Sequence, residues 1–306
     1  MSGARQPRPP VLTKPEPGLR CVLADNPSPM TYWGTNSYIV GNGEVAVIDP
    51  GPADPGHLES IKNALRVGEK ITHIFVTHAH LDHSSGARLL SGQTGAKVYA
   101  FGPATAGRSE RMARLAQSGE IAGGEGVDAQ FMPDQALEDG ASIAGGDWSL
   151  TALWTPGHFS NHLSFSWDAR GCVFTGDLVM GWASSLVSPP DGDLGAFMRS
   201  LDRLSDRTED RVYYPGHGAP VLQPHARVSE LRAHRQVRHQ QILAELRQAP
   251  GSATDLAHRI YTETPAALLP AAARNVQAHL LEMVENSEAE CIGPLHAAAQ
   301  YRFLKK

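Results

Sequence analysis

Ile71-Thr72-His73-Ile74-Phe75-Val76, followed at once by Thr77-His78-Ala79-His80-Leu81-Asp82-His83, decides the reading of this chain. The first half is an apolar run of the kind that forms a strand. The second crowds three imidazoles and a carboxylate into seven residues. Packing gains nothing from such a cluster, because polar groups buried without partners are costly. A metal changes that balance. On a strand-to-helix turn, residues two apart can point into one cleft, so His78 and His80 can grip a first ion while Asp82 and His83 reach a second.

Three more candidates lie downstream, each beside a turn signal: His158 in Thr155-Pro156-Gly157-His158, Asp177 in Thr175-Gly176-Asp177, and His217 in Pro215-Gly216-His217-Gly218. Taken singly, a His next to a Gly is usually a turn or capping residue. With the cluster in place, His158 closes the first triad, since Pro156-Gly157 makes a tight turn that aims it back. Asp177 has two oxygens to bridge both ions, and His217 completes the second set. Five imidazoles and two carboxylates without a thiolate suit two Zn2+ ions, with Fe or Mn as alternatives.

This sequence resembles the metallo-β-lactamase-fold hydrolases, whose signature Thr-His-x-His-x-Asp-His stands here at residues 77–83 and whose remaining ligand positions match His158, Asp177 and His217 in order. Within them it is similar to the β-lactamase-like protein two group, which includes a metal-dependent endoribonuclease of mitochondria. Asn26-Pro27, Met30-Thr31, Gly34-Thr35-Asn36-Ser37-Tyr38, Ile48-Asp49-Pro50-Gly51, Tyr214-Pro215-Gly216-His217-Gly218 and the run from Arg235 to Ile242 carry that likeness. The resemblance implies an αββα sandwich with its site on one rim between two sheets, followed by a small winged-helix module. Two departures stand out: Phe159 replaces a small hydroxyl residue and bears on the pocket's shape, and Ser85 sits where the loop often reads Gly-Gly.

The remaining pattern agrees with an α/β (α+β) protein. Strands are expected at residues 38–40, 45–48, 71–76, 98–100, 150–154, 162–167, 172–174 and 212–214, with helices at 55–67, 84–90 and 194–204. Residues 105–147 are the least patterned, and Gly119 to Gly126 reads as a mobile surface loop, as an insertion near the active-site mouth, or as a plain connector. The organisation expected is a catalytic domain at 1–226, a linking amphipathic helix at 227–250 and a winged-helix-like module at 251–306. That module is expected to hold helices from Thr254, from Pro265 to Ala273 and from Asn275 to Val284, then a hairpin.

The chain has 306 residues, 41% hydrophobic and 19% charged, with a net charge of -5. This is ordinary for a globular enzyme. No run is long enough for a membrane span. Met1 to Lys14 is rich in Pro and Arg without an apolar core, so a secretory signal is not expected. Cys21, Cys172 and Cys291 are scattered, which suits buried thiols in a reducing, cytoplasmic setting.

A winged helix invites a nucleic-acid reading, but from residue 221 onward ten Lys and Arg face eight Asp and Glu. Glu282 and Glu285 would also repel phosphates. A structural job is favoured instead: covering the sandwich, shaping the cleft or supporting a homodimer. Should RNA bind, the helix face with Arg232, Arg235 and Arg238 is the candidate. Asp82 would orient the attacking water while serving as a ligand, and Asp49 would support the ligands. His162 reads as such a support, as the proton donor to the leaving group, or as an ordinary strand histidine; Asn36 is a further pocket candidate. The first expected activity is phosphodiester cleavage of single-stranded RNA, the alternative hydrolysis of small thioesters or lactones.

Overall fold

The computed structural model describes residues 6–305. Residues 1–5, part of the Pro/Arg-rich start, lie outside them. The first half of the chain lays down β1 (Leu12–Glu16), β2 (Leu19–Leu23), β3 (Asn36–Val40), β4 (Glu44–Ile48), α1 (Pro55–Asn63) and β5 (Lys70–Phe75). Then follow α2 (Leu81–Ser84), α3 (Ala87–Thr94), β6 (Lys97–Ala100), α4 (Glu110–Ser118) and β7 (Gln135–Ala136). Its strands form one sheet in the order β1 to β7, antiparallel up to β4 and parallel from there.

A second sheet takes β8 (Ser142–Gly145), β9 (Trp148–Trp154), β10 (Leu163–Trp167), β11 (Cys172–Gly176) and, after α5 (Leu194–Ser205), β12 (Val212–Pro215). Its order is β12-β11-β10-β9-β8, with β11 and β12 parallel. The chain ends with α6 (Pro224–Gln248), α7 (Ala253–Ile260), α8 (Leu269–Glu285) and the antiparallel hairpin β13 (Ala289–Ile292)–β14 (Gln300–Phe303). No helix among the described residues is long and apolar enough to cross a membrane.

Alternation explains the layering. Side chains along a strand point to opposite faces, so Tyr38, Val40, Ala46 and Ile48 meet Leu163, Phe165, Cys172 and Phe174 between the sheets. Ile39, Val45 and Val47 point the other way, onto Leu58 and Ile61 of α1 and Leu90 of α3. On the far side, Val173 and Tyr213 pack on Phe197 and Leu201 of α5 and Val228 and Leu231 of α6. Strands buried on both faces between helix layers give an αββα sandwich.

Sequence expectation and structure part at several elements. α1 ends at Asn63 rather than near 67, because the Arg66 N–H bonds Glu69 Oε2 at 2.7 Å in a turn and Glu69 is itself held by buried Arg20. The helix expected at 84–90 is two short helices, α2 and α3. In the C-terminal module, Pro265 to Ala273 and Asn275 to Val284 are not separate helices: a 3-10 turn at Ala266–Leu268 leads into the single helix α8. Pro270 falls in its first turn, where a missing N–H costs nothing.

The third helix of the module is the end of α6, whose Ile242, Leu243 and Leu246 share a core with Leu256 of α7, Val276 and Leu280 of α8 and Tyr301 of β14. Thus α6 serves two cores with one continuous stripe, Val228, Leu231, Arg235, Ile242 and Leu246. Arg235 is 3% exposed and belongs to that stripe, not to a basic face. Cys21 and Cys172 are buried and Cys291 half-buried, all as free thiols.

Candidate metal centre

The candidate ligands sit where strands end on one rim. β5 runs into residues 77–83, β9 into the turn before His158, β11 into Asp177, and β12 into His217. Two backbone bonds join the sheets there, Asn36 N–H to Gly216 O (2.8 Å) and Leu163 N–H to Thr77 O (2.7 Å), while Gly216 N–H to Gly176 O (2.8 Å) ties β12 to β11 at the rim. Gly216 lies so close beneath the ligands that a Cβ there would stand 2.6 Å from His83 Cε1 and also strike Asp177. At Gly157, with φ 143°, a Cβ would run into the backbone of Phe197. Both turns therefore require glycine.

The seven side chains form three overlapping groups, His78/His80/His158, His78/His83/Asp177 and Asp82/His83/His217, each with its donor atoms within 4.8 Å of one another. His78 Nε2 lies 2.8 Å from His80 Nδ1, which lies 3.1 Å from His158 Nε2. In the other set His217 Nε2 is 3.3 Å from His83 Nε2, from Asp82 Oδ2 and from Asp177 Oδ2. Two donors bound to one zinc in a tetrahedral arrangement lie roughly 3.4 Å apart.

The tautomers support the same picture. His83 donates Nδ1–H to Asp49 Oδ2 (2.9 Å), His158 to Leu186 O (2.6 Å) and His217 to Gly34 O (3.1 Å). Thr77 Oγ1 gives its proton to Asp49 Oδ2 at 2.7 Å, so it accepts from His78 Nδ1–H at 3.0 Å. In four imidazoles Nδ1 is thus committed and Nε2 is the atom turned to the centre, and His80 presents Nδ1. Asp177 Oδ1 is buried without a hydrogen-bond partner among the described residues. Facing lone pairs and an orphaned carboxylate oxygen are what a cation resolves, so the cluster fits a two-metal site.

Electrostatics divides the cluster. Burial and neighbouring imidazoles push His78 well below its usual value and His80 down to about 3, and burial also lowers His158. Burial would depress His83 too, but Asp82, Asp177 and Asp49 outweigh it and hold the ring up to about 9. His217 is likewise raised, mainly by Asp177 against its burial. Asp82 and Asp177 stay ionised despite burial because His83 and His217 stand beside them.

Asp49 lies behind two of these side chains, His83 directly and His78 through Thr77. Its backbone takes φ 51°, and its carboxylate also accepts the Thr77 N–H at 2.7 Å. His162 is fully buried: the Asp177 N–H donates to its Nε2 (3.2 Å), which leaves Nδ1–H to donate to Thr155 Oγ1 (3.0 Å). Asn36 is buried, and its amide holds Pro215 O and Gly218 O at 3.0 and 2.9 Å, fixing the His217 turn. Phe159 is buried under His78 and His80, 4.9 Å from the His80 ring, as an apolar floor. Ser85 caps its own turn, bonding Leu81 O and the Ala53 N–H.

The segment at 119–126 does lie against the metal loop and is fastened there. Gly126 O accepts the Leu81 N–H at 2.7 Å, and the Gly124 N–H bonds Asp191 Oδ2 at 2.7 Å. Sequence reasoning missed Thr35, whose hydroxyl donates to Asp82 Oδ2 at 2.9 Å, and the stacked pair Tyr32–Trp182, 4.8 Å apart, beside Gly218. It also missed residues 185–187 behind His158. No local signal marks these, since their partners are far along the chain.

Known proteins place this geometry. The chain is 29% identical over 288 residues, 90% of each protein, to a beta-lactamase-like protein 2 homolog of Drosophila melanogaster. It is 28% identical to an atrochrysone carboxyl ACP thioesterase of Aspergillus chevalieri, over 81% of this chain and 71% of that one. A solved metallo-beta-lactamase family protein from Thermus thermophilus is similar with a TM-score of 0.75 and 27% identity, covering 94% of this chain and 99% of that protein. Residues 252–287 match the beta-lactamase associated winged helix domain. With residues 30–217 matching throughout, the chain belongs to the metallo-beta-lactamase superfamily.

Proposed function

We propose that this protein is a two-metal hydrolase of acyl thioesters or comparably activated esters. His78, His80 and His158 would hold one ion, Asp82, His83 and His217 the other, with Asp177 between them; the imidazole-rich set favours zinc, with iron or manganese as alternatives. When bound, the ions supply Lewis acidity and lower the pKa of water to near neutrality. Everything else falls to the chain's own residues. Asp82, anchored by Thr35 and with its side chain 27% exposed, can orient the attacking water by accepting its hydrogen bond. Asp49 and Thr77 hold the rings of His83 and His78 in register.

The observation that carries the choice of substrate is the burial of His162. Both of its nitrogens are committed and the five other imidazoles would be held as ligands, so among the described residues no histidine at this site is free to protonate a leaving group. An alkoxide needs that proton, whereas a thiolate, with a pKa near 8.5, leaves without it. In this reading His162 positions Asp177. The aromatic pair Tyr32–Trp182 offers an apolar wall for an acyl group. The expected basic face does not assemble: Arg232 pairs with Asp202 at 3.0 Å, Arg235 is buried, and Arg238 lies over Tyr261.

A second reading, cleavage of single-stranded RNA, is favoured by the likeness to the beta-lactamase-like protein 2 group and by the same aromatic pair, on which bases can stack. A parallel assay of zinc-loaded and iron-loaded protein on an acyl-glutathione thioester, a single-stranded RNA and a bis-aryl phosphate separates them. The thioester should be turned over best; RNA cleavage without thioesterase activity overturns the proposal. His162→Gln should lower all activities alike. A loss confined to substrates with poor leaving groups would make His162 the acid after all.

A further inference from the structure

Three consecutive residues, 185–187, connect the metal centre to the C-terminal module although they lie in no helix or strand. Ser185 is fully buried, and its hydroxyl donates to the backbone oxygens of Asp177 and, at 3.1 Å, of Leu178. Leu186 O takes the Nδ1–H of His158 at 2.6 Å and so fixes which nitrogen of that ring faces the metals. Val187 N–H donates to Oδ1 of Asn275, on α8, at 3.0 Å. The same Oδ1 accepts from Arg235 Nη1 at 3.0 Å, and Arg235 Nη2 donates to Ser185 O. One amide oxygen and one guanidinium, from two helices that belong to the winged-helix module's core, thereby clamp the segment from behind.

Arg235 is an expensive residue to place there. Its side chain is buried against the Phe197 ring, 4.9 Å from the centroid, and among the described residues no carboxylate pairs with it. Burying a guanidinium without a counter-ion costs free energy unless its donors are met. Burial lowers it to about 10, which leaves it charged at neutral pH. Fold stability alone would be served as well by an apolar residue in the stripe between Leu231 and Ile242. What the guanidinium uniquely provides is a rigid fork spanning Ser185 O and Asn275 Oδ1.

We propose that Arg235 and Asn275 are positioning residues of the metal centre, through which the winged-helix module holds residues 185–187 and so aims His158 at its ion. This rests on the two-metal reading of the cluster. The module then completes one half of the site: the His78/His80/His158 set takes its third ligand's orientation from α6 and α8, whereas the set with Asp82, His83 and His217 is oriented within the sandwich.

The test uses the full chain with Asn275→Leu, which keeps size but removes the acceptor, Asn275→Asp, which keeps the oxygen, and Arg235→Met, which removes the buried charge. Metal affinity is measured by competition with a chromophoric chelator and by the visible absorption of the Co2+ form, alongside Tm and steady-state kinetics. Asn275→Leu should weaken one of two ions by about tenfold, the scale seen when a ligand's supporting partner is lost, and leave the other unchanged. It should lower kcat with little change in KM. Asn275→Asp should restore both. Arg235→Met should weaken the same ion without lowering Tm. Unchanged metal affinity in Asn275→Leu and Arg235→Met, or weakening that Asn275→Asp does not rescue and that tracks a fall in Tm, overturns the proposal. Wild-type protein that never binds a second ion fails the two-metal reading itself, a different result.

Discussion

The two halves of the metal cluster are built on different foundations. Around His83 and His217 every support comes from the sandwich: Asp49 at the end of β4, Gly34 O and Thr35 before β3, and Asn36 holding the Pro215–Gly218 turn. His158 instead hangs on Leu186 O, in a segment secured by α6 and α8. A ligand fixed by strands inherits the rigidity of a hydrogen-bonded ladder, while one fixed by a loop is only as rigid as whatever clamps that loop. On the positioning proposed for Arg235 and Asn275, one half of the cluster would be indifferent to the accessory domain and the other dependent on it.

Asp177 stands between the halves, its Oδ2 3.3 Å from His217 Nε2 and 3.8 Å from His158 Nε2, so its loss should be the most severe. Asp177→Ala should abolish paired metal binding and cut turnover by roughly a thousandfold, corresponding to several kcal/mol of lost charge stabilisation. Metal analysis finding two tightly held ions in the variant would break the view that Asp177 joins the halves.

The sandwich side carries a pH dependence away from the candidate ligands. His57 on α1 is buried with its Nε2 2.8 Å from Ser37 Oγ, beside Asn36. Burial pushes it from 6.5 down to about 4. A lowered folded pKa means the group's contribution is complete above pH 6.5 and is lost as pH falls towards 4, at most about 3 kcal/mol. Urea unfolding at pH 7 and pH 4 should show this loss in the wild type, and a smaller one in His57→Gln; equal losses would remove His57 from the account.

Asp49→Asn should loosen both ions by roughly ten- to a hundredfold, because Asp49 reaches His83 directly and His78 through Thr77. Chelator competition showing only one ion affected would mean the halves are more separate than the hydrogen bonds indicate. The smallest effect is expected at Arg232, an exposed pair with Asp202. Arg232→Ala should change stability by less than about 1 kcal/mol and leave turnover of thioester and RNA alike untouched. A raised KM for RNA alone would restore a basic face.

The fold and the gathering of the candidate ligands were legible because they depend on local order: an apolar run followed by spaced imidazoles, and turns that demand glycine at 157 and 216. What escaped depends on contacts between distant segments. His162 sits in a strand pattern that does not say which nitrogen is occupied; only the Asp177 N–H and Thr155 hydroxyl do. Asn275 and Val187 are 88 residues apart and carry no shared motif. Arg235 was readable in principle, since it falls four residues after Leu231 and seven before Ile242, inside the stripe that buries both.

That stripe has a consequence for how such a chain can change by insertion or deletion. One residue added to α6 between Arg235 and Ile242 would rotate everything beyond it by roughly 100° and advance it about 1.5 Å. The sandwich would keep Val228 and Leu231, but the module would present the wrong face to its own partners, and α8 would carry Asn275 away from Val187. The C-terminal unit is thus no detachable cassette: its graft onto a sister protein, or its replacement by another, succeeds only where the helix phase between the two cores is conserved.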